Sequence, residues 1–112
     1  MKRRIYWRKE ISCAHKLNLP YESKCTNLHG HGYLVEIWVE GKKNKQGMII
    51  DFSLLKEIVM RYDHKYLNDF LEQPTVENLA EMIYEDIKKV KKGIKVKVRI
   101  WEDRDSYAEV TD

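Results

Sequence analysis

Residues 31–40 have the sequence HGYLVEIWVE, in which every second residue from Tyr33 onwards is apolar. This alternation has the two-residue period of a β-strand, with one apolar face and one mixed face. The apolar face carries Tyr33, Val35, Ile37 and Val39. The sequence therefore predicts a strand that covers a core on one side, and the rest of the chain is placed around it.

Other segments show the same period. Residues 5–11 have apolar side chains at Ile5, Trp7 and Ile11, and residues 94–101 alternate most clearly of all. A short apolar run at 48–50 predicts a brief strand, and residues 107–110 predict a last one after a turn at 103–106.

Two segments have helical spacing instead. Residues 54–62 predict a first helix, with Asp51 or Ser53 as its N-cap. The second begins near Pro74, with Thr75 as N-cap, and stops before Gly93. Its predicted buried stripe consists of Leu79, Met82, Ile83, Ile87 and Val90.

The main elements thus follow the order ββααββ. This order predicts an α+β fold with a four-stranded antiparallel sheet and both helices on one face. A chain of 112 residues is the usual size of one domain, so we expect a single domain over residues 1–112.

Charge and composition narrow the class of protein. The chain has 21 basic and 18 acidic residues, without the strongly basic patch typical of nucleic-acid binding, so we expect no nucleic-acid partner. No apolar run is long enough for a membrane helix, and charged residues interrupt the N-terminal segment before it could form a signal peptide. We therefore expect a cytoplasmic protein in which Cys13 and Cys25 are free thiols.

Three of the four histidines suit one metal site. His29 and His31 lie two residues apart in an extended segment, so their side chains point the same way, and Gly30 between them leaves the backbone open to a ligand. His15 ends the first predicted strand and supplies a third nitrogen if the first two strands pair. Three histidines with one open position are typical of catalytic zinc. Surface histidines, or a structural site closed by Cys13 or Cys25, are the alternatives.

Three further features carry reactive groups. Cys25 precedes His29 by four residues, and a nearby cation would favour its thiolate as a base or nucleophile. Asp63 and His64 form an adjacent acid and imidazole that could relay protons. Glu102 ends the clearest strand, where a carboxylate can accept two parallel N–H bonds from a planar heterocycle. Each feature alone also suits an ordinary solvated or buried side chain.

Six motifs occur together in one order. They are SCAHKL (12–17), KCTNLHGH (24–31), GMIIDF (47–52), DHKYLN (63–68), PTVENLA (74–80) and WE (101–102). Over nearly the whole chain this pattern resembles the 6-pyruvoyltetrahydropterin synthase family. The spacing from Cys25 to His29 and His31 is most similar to its 6-carboxytetrahydropterin synthase branch. Ile11 and Cys13 depart from the aromatic and small residues usual before the first histidine, and the connecting loops are short.

The resemblance implies a tunnelling fold, in which three subunits join their sheets into a barrel and two such rings form a homohexamer. It implies Zn²⁺ held by His15, His29 and His31, and the substrate 7,8-dihydroneopterin triphosphate. Zinc would acidify the side-chain hydroxyls of that substrate as a Lewis acid.

The resemblance also implies roles for individual residues. Glu102 would anchor the pterin ring, with Thr75 and Glu77 as further residues of the pocket. Cys25 would transfer protons on one side, and Asp63 with His64 on the other. The phosphates would contact Lys16 and Lys24.

The implied products are triphosphate, acetaldehyde and 6-carboxytetrahydropterin, which feeds 7-deazaguanine synthesis. One alternative is formation of 6-pyruvoyltetrahydropterin from the same substrate. Another is a non-catalytic, zinc-stabilised binding module, for example one that binds RNA through its lysines, which would need a fourth protein ligand.

Overall fold

Five strands and two α-helices form the protein, which a computed structural model describes over all residues 1–112. The strands are β1 (Arg4–His15), β2 (His29–Glu40), β3 (Lys65–Tyr66), β4 (Lys95–Trp101) and β5 (Tyr107–Thr111). The helices are α1 (Phe52–Met60) and α2 (Val76–Lys88), and single 3₁₀ turns cover Lys24–Thr26 and Leu67–Asp69. The α+β class with two helices is confirmed.

The strands form one mixed sheet in the order β3-β1-β2-β4-β5. The prediction of a four-stranded, wholly antiparallel sheet is wrong, because β3 adds a fifth strand that pairs in parallel with Cys13 and Ala14 of β1. β3 has only two residues, both exposed, so no alternation of apolar and polar residues could reveal it. The other three pairings are antiparallel, as expected.

The strand expected at residues 48–50 is also absent. The Asn44 side chain accepts hydrogen bonds from the backbone N–H groups of Gln46 and Met48, both at 3.0 Å, and so folds this segment into a tight turn. Ile49 and Ile50 remain buried, so the apolar run fills the core from a loop. The apolar run at 48–50 therefore predicted the burial of Ile49 and Ile50 correctly, but it did not predict the conformation of the backbone.

Both helices begin where their caps predict. Asp51 accepts a hydrogen bond from the Ser53 backbone at 2.8 Å, and Thr75 accepts one from the Asn78 backbone at 3.1 Å. Val90 lies beyond the end of α2 and is exposed, so its predicted place in the buried stripe is wrong. No helix has the length and apolar character needed to cross a membrane.

The core lies between the two helices and one face of the sheet. It contains the alternate residues expected on β2 and β4, and Leu55 and Ile83 from the two helices. The antiparallel pairing of β1 with β2 forms the longest ladder in the sheet. It runs from Arg4 paired with Glu40 to His15 paired with His29. The last pair of this ladder places two of the candidate metal ligands side by side.

Candidate metal centre

The register of the β1–β2 ladder brings the three histidines together. His15 pairs directly with His29, and His31 lies two residues further along β2 on the same face. Residues two apart on a strand share a face, so all three imidazoles point towards one volume. One nitrogen from each lies within 4.8 Å of the others, and the predicted convergence of these side chains is therefore found.

Backbone carbonyls determine which nitrogen of His15 and His29 faces this volume. His15 Nδ1 lies 2.8 Å from the Pro74 oxygen, and His29 Nδ1 lies 2.6 Å from the Asn27 oxygen. A carbonyl oxygen only accepts hydrogen bonds, so each Nδ1 carries the proton and each Nε2 has a free lone pair. These two Nε2 atoms are only 2.9 Å apart. Two facing lone pairs repel, and a shared cation relieves that repulsion.

His31 adds a third donor without a partner. Its Nε2 is buried and makes no hydrogen bond, although buried polar atoms nearly always have one. Burial lowers the pKa of both His15 and His31, which favours the neutral form that binds metals. Around tetrahedral zinc, nitrogens at about 2.0–2.1 Å from the ion lie about 3.4 Å from one another. The donor set fits a divalent metal with small side-chain adjustments.

No thiol belongs to this group of potential ligands. Both cysteines are free, as expected. Cys13 is buried and its thiol donates to the Tyr62 carbonyl oxygen at 3.2 Å. Burial, and secondarily the Asp63 carboxylate, raises the pKa of Cys13 to about 12, so it stays protonated near neutral pH. The group offers three potential protein ligands, the number found in catalytic zinc sites, rather than the four of a structural zinc site.

Glu102 lies beside the histidines. Its Oε1 is 3.5 Å from His31 Nε2, but it is not part of the group whose donor atoms lie mutually close. Glu102 and Glu77 line one cleft of about 410 Å³ at the start of α2 and the β4–β5 turn. Thr75 precedes this helix and uses its hydroxyl as the N-cap. The structure therefore brings Glu102 and Glu77 together in one cleft, and Glu102 also lies next to the candidate metal ligand His31.

Asp63 and His64 contact each other in a different place. Asp63 Oδ2 is 2.9 Å from His64 Nδ1, and Asp63 Oδ1 accepts from the Ser12 backbone at 2.9 Å. This Ser12 bond is the main reason that the pKa of Asp63 is lowered. His64 has a left-handed backbone with φ of 57° and is largely exposed. The pair lines a cleft of about 820 Å³ that none of the three candidate ligand histidines lines.

Cys25 and the two lysines lie in the loop between β1 and β2. Cys25 is half-buried in a 3₁₀ turn, and its carbonyl oxygen accepts from the Leu17 backbone at 2.8 Å, which ties the turn to the end of β1. Lys16 and Lys24 are exposed, and neither forms an ion pair. Lys16 lines a cleft of about 480 Å³ that Lys24 does not line.

Three groups that surround the candidate ligands were not predicted from the sequence. They are the carbonyl oxygens of Pro74 and Asn27 and the side chain of Tyr33, whose hydroxyl is 3.3 Å from His15 Nδ1. Backbone carbonyls leave no trace in a residue pattern, but Tyr33 shares the face of His31 by simple alternation. A side chain at Gly30 would meet the Cys13 carbonyl oxygen at an ordinary 3.7 Å, so nothing within this chain requires glycine there on steric grounds.

Comparisons with known proteins give consistent matches. The sequence model of one family, described as 6-pyruvoyl tetrahydropterin synthase, matches residues 4–112. A Pyrococcus abyssi protein provisionally named 6-carboxy-5,6,7,8-tetrahydropterin synthase is 40% identical, over 99% of this chain and 91% of that protein. The dihydroneopterin monophosphate aldolase of Pyrococcus furiosus is 35% identical, over 98% of both. The structure of Caenorhabditis elegans 6-pyruvoyl tetrahydropterin synthase has the same fold, with a TM-score of 0.78 at 24% identity, over 100% of this chain and 96% of that one.

Proposed function

Because the chain belongs to the 6-pyruvoyl tetrahydropterin synthase family, a family of enzymes, we propose that it is a zinc-dependent lyase. Its proposed substrates are 7,8-dihydroneopterin triphosphate and one water molecule, and its products are 6-carboxy-5,6,7,8-tetrahydropterin, acetaldehyde and triphosphate. The observation that carries the proposal is the group of three histidine nitrogens with no fourth protein ligand. Such a group holds an ion and leaves a coordination position for a substrate hydroxyl.

His15, His29 and His31 would hold the zinc ion. When bound, the ion supplies a Lewis acid that lowers the pKa of hydroxyl groups on the substrate side chain. The carbonyl oxygens of Pro74 and Asn27 hold two imidazoles in the tautomer that exposes Nε2. Fixed tautomers and ring positions raise the affinity of histidine ligands for a metal.

Cys25 is the proposed base on one side of the substrate. Its competitor Cys13 is buried, hydrogen-bonded and held neutral by its raised pKa, which favours Cys25 as the acting thiol. Asp63 and His64 are the proposed proton relay on the other side. Their 2.9 Å contact orients the His64 imidazole, and its exposure lets it reach a substrate outside its own chain.

Substrate binding is assigned to charged residues near the ligands. Glu102 would accept two N–H bonds from the pterin ring, since its position beside His31 suits a ring bound next to the metal. Glu77 and Thr75 would complete the wall of that pocket. The unpaired ammonium groups of Lys16 and Lys24 are the proposed phosphate contacts.

The active assembly is proposed to be a homohexamer, with barrels formed by the sheets of three subunits. The chain alone is extended, with a radius of gyration of 15.0 Å against about 13 Å for a compact domain of this length. Its sheet also has two open edges, at β3 and at β5. Barrel closure would pair the edges, and sites between subunits would let His64 of one chain serve the histidines of another.

We place this single domain of residues 1–112 in the cytoplasm, with a small-molecule substrate and no nucleic-acid partner. Its product would enter 7-deazaguanine synthesis, the route to modified bases of the queuosine type. The near-balance of 21 basic and 18 acidic residues supports a small anionic substrate better than a polyanion.

Two other reactions suit the same residues. A 6-pyruvoyltetrahydropterin synthase would release triphosphate but no acetaldehyde. An aldolase would cleave the side chain of dihydroneopterin monophosphate and release a phosphorylated two-carbon aldehyde. The relative of near-equal length that is named as such an aldolase favours this second candidate.

The test is a product analysis by mass. Purified protein loaded with zinc is incubated separately with dihydroneopterin triphosphate and with the monophosphate. Acetaldehyde together with 6-carboxytetrahydropterin is the expected result from the triphosphate. Phosphorylated aldehyde from the monophosphate, without turnover of the triphosphate, would replace the proposal by the aldolase. No turnover of either substrate would overturn both.

A further inference from the structure

Tyr33 is a buried polar residue to which the proposed reaction gives no part. Only 1% of its surface is exposed, and it follows His31 by two residues on the same face of β2. Its neighbour across the ladder is Ile11, while Cys13 and His15 come next along β1. The ring therefore lies on the inner side of the histidines, where it touches no solvent.

The Tyr33 ring packs against one metal ligand and its hydroxyl contacts another. The ring centroid is 5.4 Å from that of His31 at an interplanar angle of 31°. The hydroxyl oxygen lies 3.3 Å from His15 Nδ1. Since Nδ1 carries the proton that points towards Pro74, the phenol oxygen is a second acceptor on the same N–H.

We propose that Tyr33 is a positioning residue of the metal centre, which holds His15 through its hydroxyl and His31 through its ring. This proposal rests on the proposed metal site and adds to it. Two acceptors on one N–H restrict rotation of the His15 ring about its Cβ–Cγ bond. They therefore keep Nε2 directed towards the proposed metal position. Contact with the Tyr33 ring restricts His31, whose Nε2 has no hydrogen bond to orient it.

The chain offers a matched control for the hydroxyl. Tyr62 is also a buried tyrosine of the core, and its hydroxyl donates to Asp86 Oδ2 at 2.6 Å. It has no contact with the three histidines among the hydrogen bonds and ring pairs of the structure. Tyr62→Phe therefore makes the same substitution at a second buried tyrosine and removes its hydrogen bond without touching the three histidines.

The experiment measures zinc affinity by competition with a chromophoric chelator, the visible spectrum of the Co²⁺-loaded protein, and the urea midpoint of the metal-free protein. Tyr33→Phe should weaken zinc binding by about tenfold, which is the lower end of the loss in metal affinity seen when a hydrogen-bond partner of a metal ligand is removed. The loss should be at the lower end because the Pro74 carbonyl oxygen still accepts from the His15 N–H. Tyr33→Phe should also change the Co²⁺ spectrum. Tyr33→Leu, which removes the ring as well, should weaken zinc binding further. Tyr62→Phe should alter the urea midpoint only.

Each other outcome is decisive. Wild-type affinity and an unchanged Co²⁺ spectrum in Tyr33→Phe would overturn the positioning role while leaving the metal site intact. An equal loss of affinity in Tyr62→Phe would show a general effect of core stability and overturn the role as well. Failure of the wild-type chain to bind zinc would overturn the proposed metal site itself. If Tyr33→Leu does not fold, Tyr33→Phe alone decides the question.

Discussion

The histidine group and the cluster around Asp112 are both built from polar side chains beside the core, yet they differ in how those side chains are paired. Asp112 accepts hydrogen bonds from Tyr84, Lys88 and the Val96 backbone at 2.8–3.0 Å. The histidines instead direct two lone pairs at each other and leave His31 Nε2 without a partner. The fully paired cluster holds α2, β4 and the end of β5 together, whereas the unpaired one is suited to binding a ligand.

The double variant His29→Ala/His31→Ala should have the largest effect, because it removes the metal-binding capacity that is proposed for the histidine group and not for the Asp112 cluster. It removes two of three donors, so metal content should fall from about one ion per chain to near zero, and turnover with it. Elemental analysis of purified protein measures the content. Both side chains are only half-buried, so the metal-free variant should still fold. A variant that retains its full metal content would refute the assignment of the ligands.

Cys25→Ala should leave metal content unchanged but reduce turnover by about 10² or more, the usual cost of a lost general base. Steady-state rates with zinc-loaded protein measure the effect. Cys13→Ala is the matched control, since it removes the other thiol, and it should retain most activity because the Cys13 thiol is neutral and already bonded to Tyr62. An inactive Cys13→Ala with an active Cys25→Ala would reverse the assignment.

Glu102→Gln should weaken pterin binding by about tenfold or more, because a charge-assisted pair of hydrogen bonds becomes a neutral and mismatched one. Calorimetric titration with a non-reactive pterin measures the affinity. Glu109→Gln is a control on the same cleft, since that carboxylate is already paired with Arg99. Equal affinity in Glu102→Gln and wild type would remove the anchoring role.

Asp112→Asn should have the smallest effect, a loss of about 1 kcal/mol in the free energy of unfolding, because this cluster is partly exposed. Lys88 is the main cause that lowers the pKa of Asp112 to about 2, below about 3.9 for an unfolded chain. Its contribution to stability is therefore complete above about pH 4 and is lost as the pH falls towards 2.

Urea unfolding at pH 7 and in this acid range measures both effects. The variant should show a weaker dependence on pH than wild type, with unchanged zinc affinity. A change in zinc affinity as large as the change in stability would contradict the separation of the two clusters.

Periodicity was enough to predict the long strands, both helices and the face on which the histidines meet. The six motifs predicted the family, which the comparisons confirm. The strand at 48–50 was wrong because the Asn44 side chain folds that segment, and β3 was missed because two exposed residues carry no pattern. Asp63 and His64 were expected as a pair from their adjacency, but the left-handed φ of His64 is not predicted by side-chain spacing.

For the candidate site, the sequence predicts only which side chains lie on the same face of a strand. Spacing alone places His29 beside His31, but His15 joins them only in one register, and a slip of one residue would turn it to the opposite face. The orienting carbonyls of Pro74 and Asn27 arise from backbone paths that meet after folding. Motifs therefore indicate candidate site residues more readily than they indicate the groups that hold those residues in place.

The pairing of His15 with His29 at the very last rung of the β1–β2 ladder has a dynamic consequence. Local opening of this rung would separate two nitrogen donors. A metal ion bound by both histidines would link the two strands at this rung. The amides near Ala14 and Gly30 should therefore exchange with deuterium far more slowly in the metal-loaded protein than in the metal-free protein. A bound ligand would thus add a second link between the two strands here, beside the backbone hydrogen bond from Leu17 to Cys25.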